Sequence, residues 1–173
     1  MYVKAAGMLL MILGSVGIGL SLDFSMNTRA EVLRSLLRMT ALLKGEISFG
    51  ASSLPEAFAQ IQRRLAMPVS GFLEFLAKET EQAEGESFHI IFKKGMERYL
   101  KGCHLTREDL ENLEALGMQL GFLDQRNQIH QLELYEQETE RMLRVLLEEM
   151  PARKKVCRTL GVLGGLFLAI VLL

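Results

Sequence analysis

No tryptophan and only three prolines occur in this chain of 173 residues, and there are only two cysteines. Methionine, at ten, is frequent. Such a mix favours helices over sheets, because straight-chain residues lose little rotamer freedom in a helix. Cys103 and Cys157 do not make a disulfide framework, and both read as reduced thiols. No alternating strand pattern and no hairpin-type turn dipeptide is found. The loops G-x-x-x-x-G-K-[ST] and G-x-G-x-x-G are missing, which excludes nucleotide sites of those kinds. No serine sits in G-x-S-x-G. His89, Cys103, His104 and His130 fall in no spacing typical of zinc. No cofactor or metal is expected, and the chain reads as a binding protein rather than an enzyme.

Acidic residues are missing from both ends. None precedes Asp23 and none follows Glu149. Residues Asp23 to Lys155 hold all 21 acidic and 18 of the 20 basic residues, a net charge of -3. That leaves no basic footprint for nucleic acid. Ala5 to Leu22 is an apolar run of 18 residues without a charge, and Val156 to Leu173 is a second, broken only by Arg158. As helices each would span about 27 Å, close to the roughly 30 Å hydrocarbon core. Both are read as transmembrane helices, 1–22 and 156–173, with lipid as a partner. The alternative for the first is a cleaved leader, although an A-x-A-like cleavage site is missing.

Arg29, Arg34 and Arg38 follow the first run, and Arg153, Lys154, Lys155 and Arg158 border the second. Positive flanks stay cytoplasmic, so residues 23–155 are expected in the cytoplasm. In lipid, small residues four apart let helices approach closely. Ser15 with Gly19, and Gly161 with Gly165, are candidate packing positions of that kind.

The middle has helical periodicity and repeated caps. Six helices are expected in an antiparallel bundle. The first runs over Thr28 to Phe49. The second is opened by a capping box, Ser53 with Glu56, and is ended by Pro68. The third starts at Ser70 and the fourth at Ser87. Thr106 with Asp109 caps the fifth. Asp124 caps the sixth, which Pro151 separates from the tail. Glu46 is poorly placed near a helix C-terminus, where the macrodipole disfavours a carboxylate. It is therefore a candidate partner-binding residue, with Phe49, Leu54 and Phe58 forming or supporting the same surface. Gly117 and Gly121, four apart, serve either close helix packing or a notch for a partner helix, and with Asp124 they are counted among the candidate partner-binding residues.

Several stretches resemble the stage III sporulation protein AB family of endospore-forming bacteria. They are Leu42-Leu43-Lys44-Gly45-Glu46-Ile47-Ser48-Phe49-Gly50, then Leu54-Pro55-Glu56-Ala57-Phe58, then Leu116-Gly117-Met118-Gln119-Leu120-Gly121 with Asp124 and Gln128, and in the tail Gly161-Val162-Leu163-Gly164-Gly165-Leu166. The likeness covers the whole chain. It implies a component of a secretion-like channel between mother cell and forespore, in the mother-cell membrane around the forespore. It also implies a soluble part similar to the helical cytoplasmic domain of the type II secretion platform protein. The implied partners are a secretion-type ATPase of the same operon and other membrane components of the channel, with self-association left open. A membrane-anchored adaptor or signalling bundle unrelated to secretion is the alternative.

Overall fold

The computed structural model describes the backbone of residues 2–50, 53–82, 85–121 and 124–172, and side chains at 24–49, 53–82, 85–121, 124–152 and 159. It is all-helical, with no strand among the described residues. The helices are α1 (Tyr2–Gly50), α2 (Leu54–Ile61), α3 (Val69–Gln82), α4 (Phe88–Tyr99), α5 (Arg107–Leu120) and α6 (Gln125–Leu172), with one 3-10 turn, Gln62–Arg64, after α2. The chain divides into two compact units. One is Thr28–Arg144; the other combines Met1–Asn27 with Val145–Leu173.

Three boundaries differ from those read in the sequence. The helix expected to start at Thr28 is part of one helix, Tyr2–Gly50, because no proline or glycine interrupts residues 20–44. Pro151 lies inside α6 rather than separating it from the tail. Proline deletes a single backbone donor there, and helix-forming stretches on both sides carry the helix through. The second helix ends at Ile61, short of Pro68, in the 3-10 turn, after which Leu65 is extended. Among the described residues no helix is long and apolar enough to cross a membrane. Apart from Thr159, the two apolar runs read as spans, and with them Ser15, Gly19, Gly161 and Gly165, lie outside the residues whose side chains are described.

The core of the unit Thr28–Arg144 follows from amphipathic stripes. Leu33, Leu36, Leu43 and Ile47 of α1 are buried, as are Phe58 and Ile61 of α2 and Phe72, Leu73 and Leu76 of α3. Ile91 and Phe92 of α4, Leu113 and Leu116 of α5, and Leu132 and Tyr135 of α6 complete it. Aromatic rings bind the short helices together. Phe72 meets Phe92 edge-on at 5.1 Å between centroids. Phe92 also sits against Gly117, where an added Cβ would stand 2.2 Å from the ring. A side chain at 117 would push α5 off α4.

A buried ion pair joins elements 80 residues apart. Arg29 of α1 donates to both carboxylate oxygens of Asp109, Nε at 2.7 Å and Nη2 at 2.9 Å. Asp109 also accepts the Thr106 N–H at 2.7 Å, and its own N–H reaches the Thr106 hydroxyl at 3.3 Å. The carboxylate thus caps α5 and holds α1. Burial pushes the Asp109 carboxyl up, but the Arg29 guanidinium and the Thr106 donors outweigh this and hold it below the usual value.

Candidate functional site: the end of the first helix

The last turn of α1 is fixed from outside the helix. The Gln125 side-chain amide donates to the Ile47 carbonyl, which is one of the acceptors that a helix C-terminus leaves open. Lys44 pairs with Glu136 of α6. Gln128 donates to the Leu120 carbonyl at 2.9 Å, tying the start of α6 to the end of α5.

Several residues singled out in the sequence meet at this end of the unit. Asp124 caps α6, its Oδ1 accepting from Asn127 Nδ2 at 2.6 Å and the Asn127 N–H at 3.4 Å. Gly121, at the end of α5, faces Phe88, with an added Cβ only 2.8 Å from the Phe88 Cβ. Phe88 in turn stacks on Phe58, with centroids 6.1 Å apart and planes 8° from parallel. Phe58 is buried, so it does not face outward. Gly117 is buried deeper, under Phe92, in a helix-packing role. Leu54 is half-buried.

The outward groups are Glu46 and Phe49. Glu46 is half-buried and makes no hydrogen bond or ion pair among the described residues. Phe49 is 93% exposed. The Ser53 capping box opens the next helix: the Glu56 carboxylate accepts the Ser53 N–H at 2.9 Å and its hydroxyl at 2.8 Å. Those two donors hold the Glu56 carboxyl below its usual value.

Sequence reasoning missed Gln125, Lys44 with Glu136, and Arg29 with Asp109. Their partners lie 78 to 92 residues away, and no local spacing signals such pairs. Among the described residues no group of three or more His, Cys, Asp or Glu could hold a metal. The Cys103 thiol donates to the Tyr99 carbonyl at 3.3 Å, and burial pushes its pKa up, so it is poorly suited to act as a thiolate nucleophile.

The fold defines a class: a helical bundle whose first helix ends in an exposed phenyl ring and a carboxylate with no partner among the described residues. Comparison with known proteins is more specific. The model of the stage III sporulation protein AB family matches residues 4–173, and the chain belongs to that family. The Stage III sporulation protein AB of Bacillus subtilis (strain 168) is 22% identical over 170 residues, covering 98% of this chain and 99% of that protein. A solved structure of a stage III sporulation protein AB superposes with a TM-score of 0.64 at 22% identity, covering 71% of this chain and 96% of the other. That likeness bears on the fold.

Proposed function

We propose that this protein is a membrane-anchored assembly platform of a sporulation channel. It couples a secretion-type ATPase on the cytoplasmic side to membrane components between mother cell and forespore. Family membership over nearly the whole chain is the observation that carries this reading. Two further features support it. The apolar runs at both ends have the length of membrane spans, and the basic residues flank residues 23–155, as the positive-inside rule requires of a cytoplasmic part. The end of α1 also leaves the half-buried Glu46 carboxylate without a partner among the described residues and the Phe49 ring exposed. In this reading the chain acts by contact and has no chemistry of its own.

Topology and contact are tested together. In full-length chain with Cys103 and Cys157 replaced by serine, Gln82→Cys should resist a membrane-impermeant thiol reagent in intact cells and label after permeabilisation. Ready labelling in intact cells overturns the orientation. Glu46→Arg should abolish sporulation while helical content by circular dichroism stays at the wild-type level. Normal sporulation in that variant would place the contact surface elsewhere.

A further inference from the structure

Four helical glycines have described surroundings, and one differs from the rest. An added Cβ would stand 2.9 Å from the Tyr99 ring at Gly71, 2.9 Å from Phe72 at Gly95 and 2.2 Å from Phe92 at Gly117. The chain's own packing explains those three. At Gly45 an added Cβ meets nothing within 4 Å. Glycine weakens a helix interior relative to alanine, and nothing among the described residues calls for it here.

Two neighbours break local rules in the same way. Glu46 places a carboxylate in the last turns of α1, against the macrodipole, with no cation paired to it among the described residues. Phe49 leaves a large apolar ring 93% exposed. Three choices within five residues thus cost the free chain something and, among the described residues, return no hydrogen bond, ion pair or tight packing. Sequences that fold well break such rules chiefly where function demands it. The three residues share one side of α1, since positions three and four apart are neighbours on a helix. Arg38 and Leu42 continue the same stripe, Arg38 exposed and Leu42 half-buried. The buried face, Leu36, Met39, Leu43 and Ile47, borders this stripe on the Glu46 side, which is why Glu46 is half-buried.

We infer that this stripe is the seat of a helix from another channel component, crossing α1 at Gly45. The missing side chain lets the partner's backbone or a large apolar residue come close. Phe49 fills a pocket beside the crossing. The uncompensated carboxylate of Glu46 fixes the charge of the occupant: a Lys or Arg must face it. Arg38, eight residues earlier and about 12 Å along the axis, calls for an acidic residue at the other side of the crossing. A second copy lying parallel does not fit, because it would set Arg38 against Arg38. The inference rests on the platform reading above and names the chemistry of its contact.

The test separates packing inside the chain from packing against a partner. Tagged full-length chain is isolated from membranes of sporulating cells, and co-isolating ATPase and membrane components of the channel are quantified. Gly45→Ala should raise the melting temperature of the purified chain yet retain less partner. Gly45→Leu should retain at most a tenth of at least one component. Glu46→Gln should lose part of that same component, and Ser48→Ala, beside the stripe, should lose none. Gly45→Leu that keeps every component at the wild-type level overturns the inference while leaving the platform reading intact. A lower melting temperature in Gly45→Ala overturns it too, because the glycine would then serve the chain's own packing. Wild-type chain that brings down no channel component defeats the platform reading, and this inference with it.

Discussion

Replacing Asp109 with alanine removes one partner from the buried pair that joins α1 to α5. The Asp109 side chain is fully buried, and its Arg29 partner is 19% exposed. The carboxylate accepts two guanidinium bonds and the Thr106 N–H, all between 2.7 and 2.9 Å. Removing one member of such a pair leaves a charge uncompensated, which costs about 3–5 kcal/mol. Arg29 keeps some contact with water, which favours the low end. The lost cap on α5 adds about 1 kcal/mol. About 4 kcal/mol is therefore expected for Asp109→Ala. Arg29→Met should cost somewhat less, because Asp109 keeps its Thr106 donor. Denaturant unfolding of full-length chain in detergent, followed at 222 nm, measures both. The double variant should cost clearly less than the two singles together, because neither charge is then stranded. A cost under about 1 kcal/mol for Asp109→Ala would refute the argument and mean that water already solvates this carboxylate.

Three further outcomes follow from the same physics. Because the folded Asp109 carboxyl lies below its unfolded value of about 3.9, its stabilising effect is full above that value and is lost as pH falls through the lower folded one; Asp109→Ala should therefore lose less stability on acidification than wild type, and an equal loss would contradict the shift. Gly117→Ala should destabilise by about 1–3 kcal/mol, since its Cβ would meet the Phe92 ring in a packed core, and an unchanged denaturation midpoint would show that α4 and α5 yield freely. Gly161→Leu with Gly165→Leu should insert into membranes normally yet fail to assemble if the tail packs through these glycines; normal assembly would reduce the tail to an anchor.

Much of the bundle was legible because its signals are local. The capping boxes at Ser53 and Thr106, with the apolar stripes between them, mark the start of α2 and both ends of α3 to α5 to within a few residues, while the end of α2 fell well short of Pro68. The continuity of α1 was not legible. Asn27 and Thr28 are good caps, and they drew a boundary where the chain has no breaker to enforce one. Pro151 misled in the opposite way: a residue that often ends helices ends none here. Glu46 stands out in the sequence by its conflict with the macrodipole, while the burial of Phe58 was not legible, because an apolar residue on a stripe reads the same under a surface as in it. Gly45 and Gly117 look alike as letters. Only the neighbours that the fold brings up, Phe92 in one case and open space in the other, tell them apart.

The platform reading is tested most directly by recruitment. Full-length chain is reconstituted into lipid vesicles, the purified secretion-type ATPase of the same operon is added, and the vesicle-bound fraction is measured by flotation. Saturable recruitment that Glu46→Arg reduces at least tenfold is the predicted result. ATPase that floats equally with protein-free vesicles, or not at all with loaded ones, would contradict the account.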